Sequence, residues 1–207
     1  MSRAHVLFYR LADGTFTGRE YSGPDEMLAD NTPADCGALD ASLVANWRAQ
    51  RVDPDTRDVV AYQPPPPADT DDATWSWDAA AGEWVPVPTV ASLRRDAITR
   101  ARIERDRRIY GGFAWGGSTF DSDEASQSRI LGLFVSTTSS PGIFPVAWRL
   151  ADNTWRPLSA ADAAGVWSAL QAHIASLFAA FAAHETAISA LADAEAIAAY
   201  DTSAGWP

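Results

Sequence analysis

Few residues in this chain of 207 could carry chemistry, and their spacing argues against most reactions. His5, His173 and His184 are the only histidines. The last two stand eleven positions apart, about three helical turns, too far for both to hold one metal from a single helix. No G-x-S-x-G elbow is present, and Ser118 follows Gly116-Gly117 in a predicted hairpin rather than at a strand-to-helix turn. Neither Gly111-Gly112 nor Gly116-Gly117 leads into Lys-Ser/Thr at the head of a helix, so no phosphate cradle is indicated. Asp121, Asp123 and Glu124 could offer oxygens to calcium, but the spacing lacks the glycine and the distal bidentate glutamate of a binding loop. The 27 acidic residues supply so many carboxylate pairs that none singles itself out for glycoside hydrolysis. Cys36 is the only cysteine, so no internal disulfide forms, and it reads as a bystander. No catalytic, cofactor-binding or metal-ligating residue is assigned, and a non-enzymatic protein without cofactors is expected.

Arginine and tryptophan remain. All 16 basic residues are arginine, leaving no lysine for Schiff-base chemistry. Seven of them fall between Arg94 and Arg108. Of these, Arg94, Arg95, Arg102, Arg105 and Arg108 are candidate partner-binding residues; local pairing with Asp96, Glu104 and Asp106 on a solvated helix face is the competing explanation. The net charge of −11 argues against nucleic-acid binding, which depends on clustered positive charge; an acidic protein surface is the other partner that the arginines could meet. Nine tryptophans offer stacking faces for sugars, although in hairpins such residues also anchor small cores. Trp75, Trp77 and Trp84 complete the candidate partner-binding set.

The elements that would position these residues follow from local pattern. VLFYRL and TFTGREY flank Ala12-Asp13-Gly14, a β-hairpin over Val6 to Tyr21. A short helix near Asp40 to Ala49 and a strand at Asp58 to Tyr62 are weaker expectations. Pro64 to Pro67 favours extended polyproline II and reads as a spacer. Trp75, Trp77 and Trp84 then flank a turn holding Asp78 and Gly82, a small hairpin ending at Pro86 and Pro88; alone it would be marginal, so it should lean on a neighbouring domain or subunit.

From Ala91 to Tyr110 strong helix formers run unbroken until Gly111-Gly112, with a narrow apolar stripe at Leu93, Ala97, Ile98, Ala101 and Ile109. Gly116-Gly117 suits a two-residue loop between Phe113-Ala-Trp115 and Ser118-Thr-Phe120. Asp121 with Glu124 fits a capping box for the next helix, stapled by Phe120 against Ala125. Ile143 to Leu150 and Thr154 to Leu158 form a further hairpin with Trp148 and Trp155 as cross-strand partners. Ser159, with Asp162, caps the longest helix. Its stripe Val166, Leu170, His173, Leu177, Phe181, His184, Ile188 and Leu191 should pack on the hairpins or on a second copy. A short helix near Glu195 to Tyr200 precedes a docked Trp206. The fold class expected is α+β in three parts: residues 1–63, a β-rich module; 64–89, spacer and Trp hairpin; 90–207, a domain of long helices and short hairpins. No uncharged apolar run is read as the roughly 18 to 20 residues that cross a bilayer, and MSRAHVLFYR lacks a signal-peptide core, so neither membrane insertion nor standard export is expected.

ERDRRI at Glu104 to Ile109, GGFAWGGSTFDSD at Gly111 to Asp123, Ser128-Arg129-Ile130, ADNTW at Ala151 to Trp155 and the closing AGWP together carry a resemblance. From about Leu93 to Pro207 the chain resembles an uncharacterised C-terminal domain of tailed-bacteriophage proteins, grouped with tail fibres and tail-fibre assembly factors. The resemblance implies a virion tail protein made in the host cytoplasm, which docks to other tail proteins and forms homo-oligomers, and it carries over no catalytic residue. Two rivals accompany it. A fibre-assembly chaperone would be absent from mature particles; an adhesin for host-surface glycan would expose Trp115 or Trp155.

Overall fold

The apolar run VLFY sits in β1 (Arg3–Arg10), where Val6 to Tyr9 are all buried. A run without alternation marks a strand covered on both faces, and β1 is indeed the central strand. It pairs antiparallel with β2 (Phe16–Pro24) on one side and, beyond the single turn of α1 (Leu28–Asn31), with β3 (Cys36–Asp40) on the other. The hairpin turn is fixed by Asp13, whose carboxylate accepts from the N–H of Thr15 at 2.9 Å, and by Gly14 at φ +73°, where a Cβ would collide with the carbonyl of Val52. The computed structural model describes residues 2–207. It is α+β and divides into two compact units, one ending at Thr89 and one beginning at Val90.

The helix expected near Asp40 to Ala49 does not form. Asp40 is the last residue of β3, and its carboxylate accepts from both the N–H and the hydroxyl of Ser42, at 2.8 and 2.6 Å, leaving one 3-10 turn at Ala41–Leu43. Such short side chains compete with helical hydrogen bonding. β4 (Gln50–Val52) then pairs with β5 (Val59–Ala61), and β6 (Ala73–Asp78) with β7 (Glu83–Pro88). Asn46 Nδ2 donates to the carbonyl of Ala80 at 2.8 Å, so the tryptophan hairpin leans on its own unit.

In the second unit α2 spans Val90–Ile109 and ends as Gly111-Gly112 dictate. β8 (Phe113–Trp115) and β9 (Ser118–Phe120) close through Gly116 and Gly117, both at positive φ, as a tight two-residue hairpin requires. The cap of α3 (Glu124–Ser139) is Asp123 rather than Asp121: its carboxylate accepts from the N–H groups of Ala125 and Ser126 at 3.0 and 3.1 Å. Two candidate caps two positions apart are indistinguishable by pattern. Geometry selects Asp123 because Ser122, fully buried, is held back by its bonds to the end of α2.

β10 (Val146–Arg149) pairs with β11 (Trp155–Leu158) in a register that sets Trp148 opposite Arg156 and Arg149 opposite Trp155. Trp148 and Trp155 therefore occupy opposite faces and are not partners, because side chains alternate along a strand. α4 (Ala160–Ala190) starts at the Ser159/Asp162 capping box, and α5 spans Ala194–Ala199. The α4 stripe is buried at Val166, Leu170, Leu177, Phe181, His184 and Ile188, each large aliphatic burial contributing about 1.5–3 kcal/mol. Val166 and Leu170 pack with Phe113, Phe120, Ile130 and Leu158, and Phe181 and Ile188 with Ala97, Ala101 and Ile197. It is thus spent on α2, α3, α5 and the hairpins inside one chain, and no second copy is needed to cover it. By length and composition α4 is also apolar enough to cross a membrane, despite the interruptions at Ser168, Gln171, His173 and Ser176 that argued against a span: no Asp, Glu or Arg lies between Asp162 and Glu185.

Candidate functional site

The seven arginines of α2 separate by face. On the inner side, Arg94 Nη2 donates to the carbonyl of Leu191 at 2.5 Å, satisfying an acceptor just past the end of α4. Arg105 lies over two rings, 4.6 Å from Phe178 and 4.7 Å from Phe181, and donates twice to Asp106. Arg108 reaches Glu104 at 2.7 Å and the carbonyl of Ser203 at 3.3 Å, with its guanidinium 5.7 Å from the Trp206 ring. Glu104 receives Arg107 as well; the Arg107 hydrogen bond, then that of Arg108, holds its carboxyl down at about 2. On the outer side Arg95, Arg100 and Arg102 are exposed, together with Ile103. Arg100 and Arg102 have no hydrogen-bond or ion-pair partner among the described residues. Of the five arginine candidates, then, Arg94, Arg105 and Arg108 serve the fold, whereas Arg95 and Arg102 face outward.

Trp75, Trp77 and Trp84 share one face of the β6–β7 hairpin, because Trp77 pairs with Trp84 and Trp75 with Pro86. Trp77 and Trp84 meet edge-on at 5.4 Å. The proline segment lies against them: Trp84 Nε1–H donates to the carbonyl of Pro64 at 3.0 Å, and Trp75 Nε1–H to that of Ala68 at 3.1 Å. Polyproline II leaves its carbonyls free for outside donors, and here indole N–H groups supply them. All three rings are half-buried. The outward face of the hairpin carries Val85 and Val87, both exposed.

The conspicuous polar residues of the second unit serve as helix terminators. Ser122 donates to the carbonyl of Ile109 and accepts from Gly112 N–H at 2.8 Å, and His173 Nε2–H donates to the carbonyl of Arg108 at 3.1 Å. Together they satisfy carbonyls that the end of α2 would leave bare. His184 meets the Tyr200 hydroxyl at 2.8 Å through Nδ1 and packs at 4.7 Å against Trp206. Sequence reading missed Ser122 and the capping role of His173; the only signal was their placement one segment away from a Gly-Gly helix stop. Among the described residues no three His, Cys, Asp or Glu side chains gather as a metal site.

The quoted motif residues map onto these joints. Glu104, Arg105 and Arg108 brace the last turns of α2; Gly111 has no room for a Cβ beside the carbonyl of Arg107, and Gly112 adopts φ +93°. In the ADNTW turn, Asp152 accepts from Thr154 N–H at 2.9 Å while Asn153 takes a positive φ. Among curated proteins and among solved structures, no match to the chain is found. Residues 92–204, more than half of the chain and nearly all of the second unit, do match a family, and the chain belongs to it: the domain of unknown function DUF4376.

Proposed function

We propose that this protein is a non-enzymatic structural component of a bacteriophage tail, at the tip or fibre, which docks to other tail proteins. The observation that carries the reading is the linked motif set from ERDRRI to AGWP, in the arrangement that resembles domains of tail-fibre proteins. These residues brace the joints of the second unit, as suits a domain selected for shape. Docking would use the surfaces the fold leaves outward: Arg95 and Arg102 on α2, against an acidic neighbour, and the Val85/Val87 face of the tryptophan hairpin. Any self-association would engage the outer face of α4, where Ala172, Ala175, Phe178 and Ala182 are exposed, since the Val166 to Leu191 stripe is used internally. Mass spectrometry of purified virions tests the reading: copies of this chain in mature particles support it, and a chain present only during fibre assembly supports a chaperone role instead.

One observation favours a second reading. Trp155 is 68% exposed on the outer face of β10–β11, as a glycan-binding adhesin would require. Retention of the purified chain by host-surface glycan, lost in Trp155→Ala, would support that role.

A further inference from the structure

We propose that the cleft between the β10–β11 hairpin and the start of α3 binds an acidic sugar, a uronic-acid or sialic-acid unit with one carboxylate among several hydroxyls. The cleft has a volume of about 330 Å³ and is walled by Asp121, Asp123, Arg129, Trp148, Arg149 and Asn153. That volume falls at the small end of the range for ligand clefts, about 300–1,000 Å³, which suits a single sugar ring.

Most polar groups of the wall are exposed and therefore accessible to a ligand. Asp123 is committed to the N–H groups of Ala125 and Ser126 and to the Ser126 hydroxyl. Asp121, Arg129 and Arg149 have no hydrogen-bond or ion-pair partner among the described residues, although opposite charges line the same small cleft. The Asn153 side-chain amide and the Trp148 indole N–H are likewise without a partner among the described residues. Asn153 is held in place by its backbone, with φ +66° and its N–H on the carbonyl of Leu150. Trp148 is fixed from behind by packing on the C-terminal core.

Each free group fits one part of such a ligand. Two guanidiniums present planar donor forks to a carboxylate. The Asp121 carboxylate and the Asn153 amide accept from and donate to ring hydroxyls. Trp148 offers an apolar body with a polar tip, suited to a sugar's C–H face and one hydroxyl. Two carboxylates beside two guanidiniums leave the wall without net charge, which favours a monoanion rich in hydroxyls over a phosphate dianion. Trp155 does not line this cleft, although the register sets it opposite Arg149 on the outer face of the hairpin.

The test is a fluorescence titration of the full chain with sodium glucuronate and with N-acetylneuraminate, using glucose and inorganic phosphate as controls. Saturable change is expected with at least one acidic sugar and with neither control. Arg149 is exposed, so Arg149→Ala should fold and weaken binding about tenfold or more, the equivalent of one charge-assisted hydrogen bond. Trp148→Phe keeps the ring packing and should weaken binding while removing part of the signal. Absence of saturation with both acidic sugars, equal binding of phosphate, or an Arg149→Ala/Arg129→Ala variant that binds as the parent does would each overturn the proposal. The outcome is independent of the virion assignment, which is read from particle composition.

Discussion

The guanidinium of Arg105 lies 4.7 Å above the ring of Phe181, a residue of the buried α4 stripe. The most basic segment of an acidic protein thus spends part of its charge on aromatic faces inside its own domain. Cation–π contact of this kind contributes about 0.5–2 kcal/mol, and the arginine stem adds packing. Arg105→Ala should therefore lower the stability of the helical unit by about 1–2 kcal/mol, whereas Arg102→Ala, on the outer face, should stay within about 0.5 kcal/mol of the parent. Urea unfolding followed by far-ultraviolet circular dichroism separates the two; equal effects would contradict the division of faces.

Ser122 closes the end of α2. Removing its hydroxyl leaves the Gly112 N–H and the Ile109 carbonyl without that partner in a buried place, so Ser122→Ala should cost about 1–3 kcal/mol. Amide hydrogen exchange should show the loss first in the last turn of α2 and the first turn of α3.

Gly165 lies inside α4, where alanine would ordinarily be the better helix former by about 1 kcal/mol. A Cβ there would meet the Trp115 ring at 2.5 Å. Overpacking of this kind costs about 1–3 kcal/mol, so Gly165→Ala should lower the melting temperature. A rise would mean that Trp115 does not occupy that space.

Glu104 gives the domain an acid limit. Its carboxyl is held down at about 2, against an ordinary value of 4.5, first by its hydrogen bond from Arg107 and then by that from Arg108. A depressed carboxylate contributes stability that is full above the unfolded value and is lost as pH falls through the folded one. The melting-temperature gap between the parent and Glu104→Gln should therefore be widest above about pH 4.5 and close toward pH 2. A gap independent of pH would remove this role from Glu104.

Elements governed by neighbouring residues were legible in the sequence, and those governed by distant ones were not. The Ser159/Asp162 box, the Gly116-Gly117 hairpin and the α4 stripe each follow from contacts within a few positions. β3 was missed because CGALD has little strand character of its own and is recruited by pairing with β1. The choice of Asp123 over Asp121 depends on where Ser122 is anchored thirteen residues back, at Ile109. Likewise, the separation of Trp148 from Trp155 is a matter of register. Among the site candidates, the arginine helix was found as an element, but which arginines face inward depends on rings and carbonyls of α4 and the segment after it. The cleft beside Asn153 was not legible, since it joins side chains from a turn, one strand and a helix start.

The most direct test of the proposed tail role is quantitative mass spectrometry of purified, mature virions released by cells that carry the gene for this chain. The protein should be present in a fixed ratio to established tail proteins and localise to the tail by cryo-electron microscopy. Its absence from mature particles would contradict the structural role.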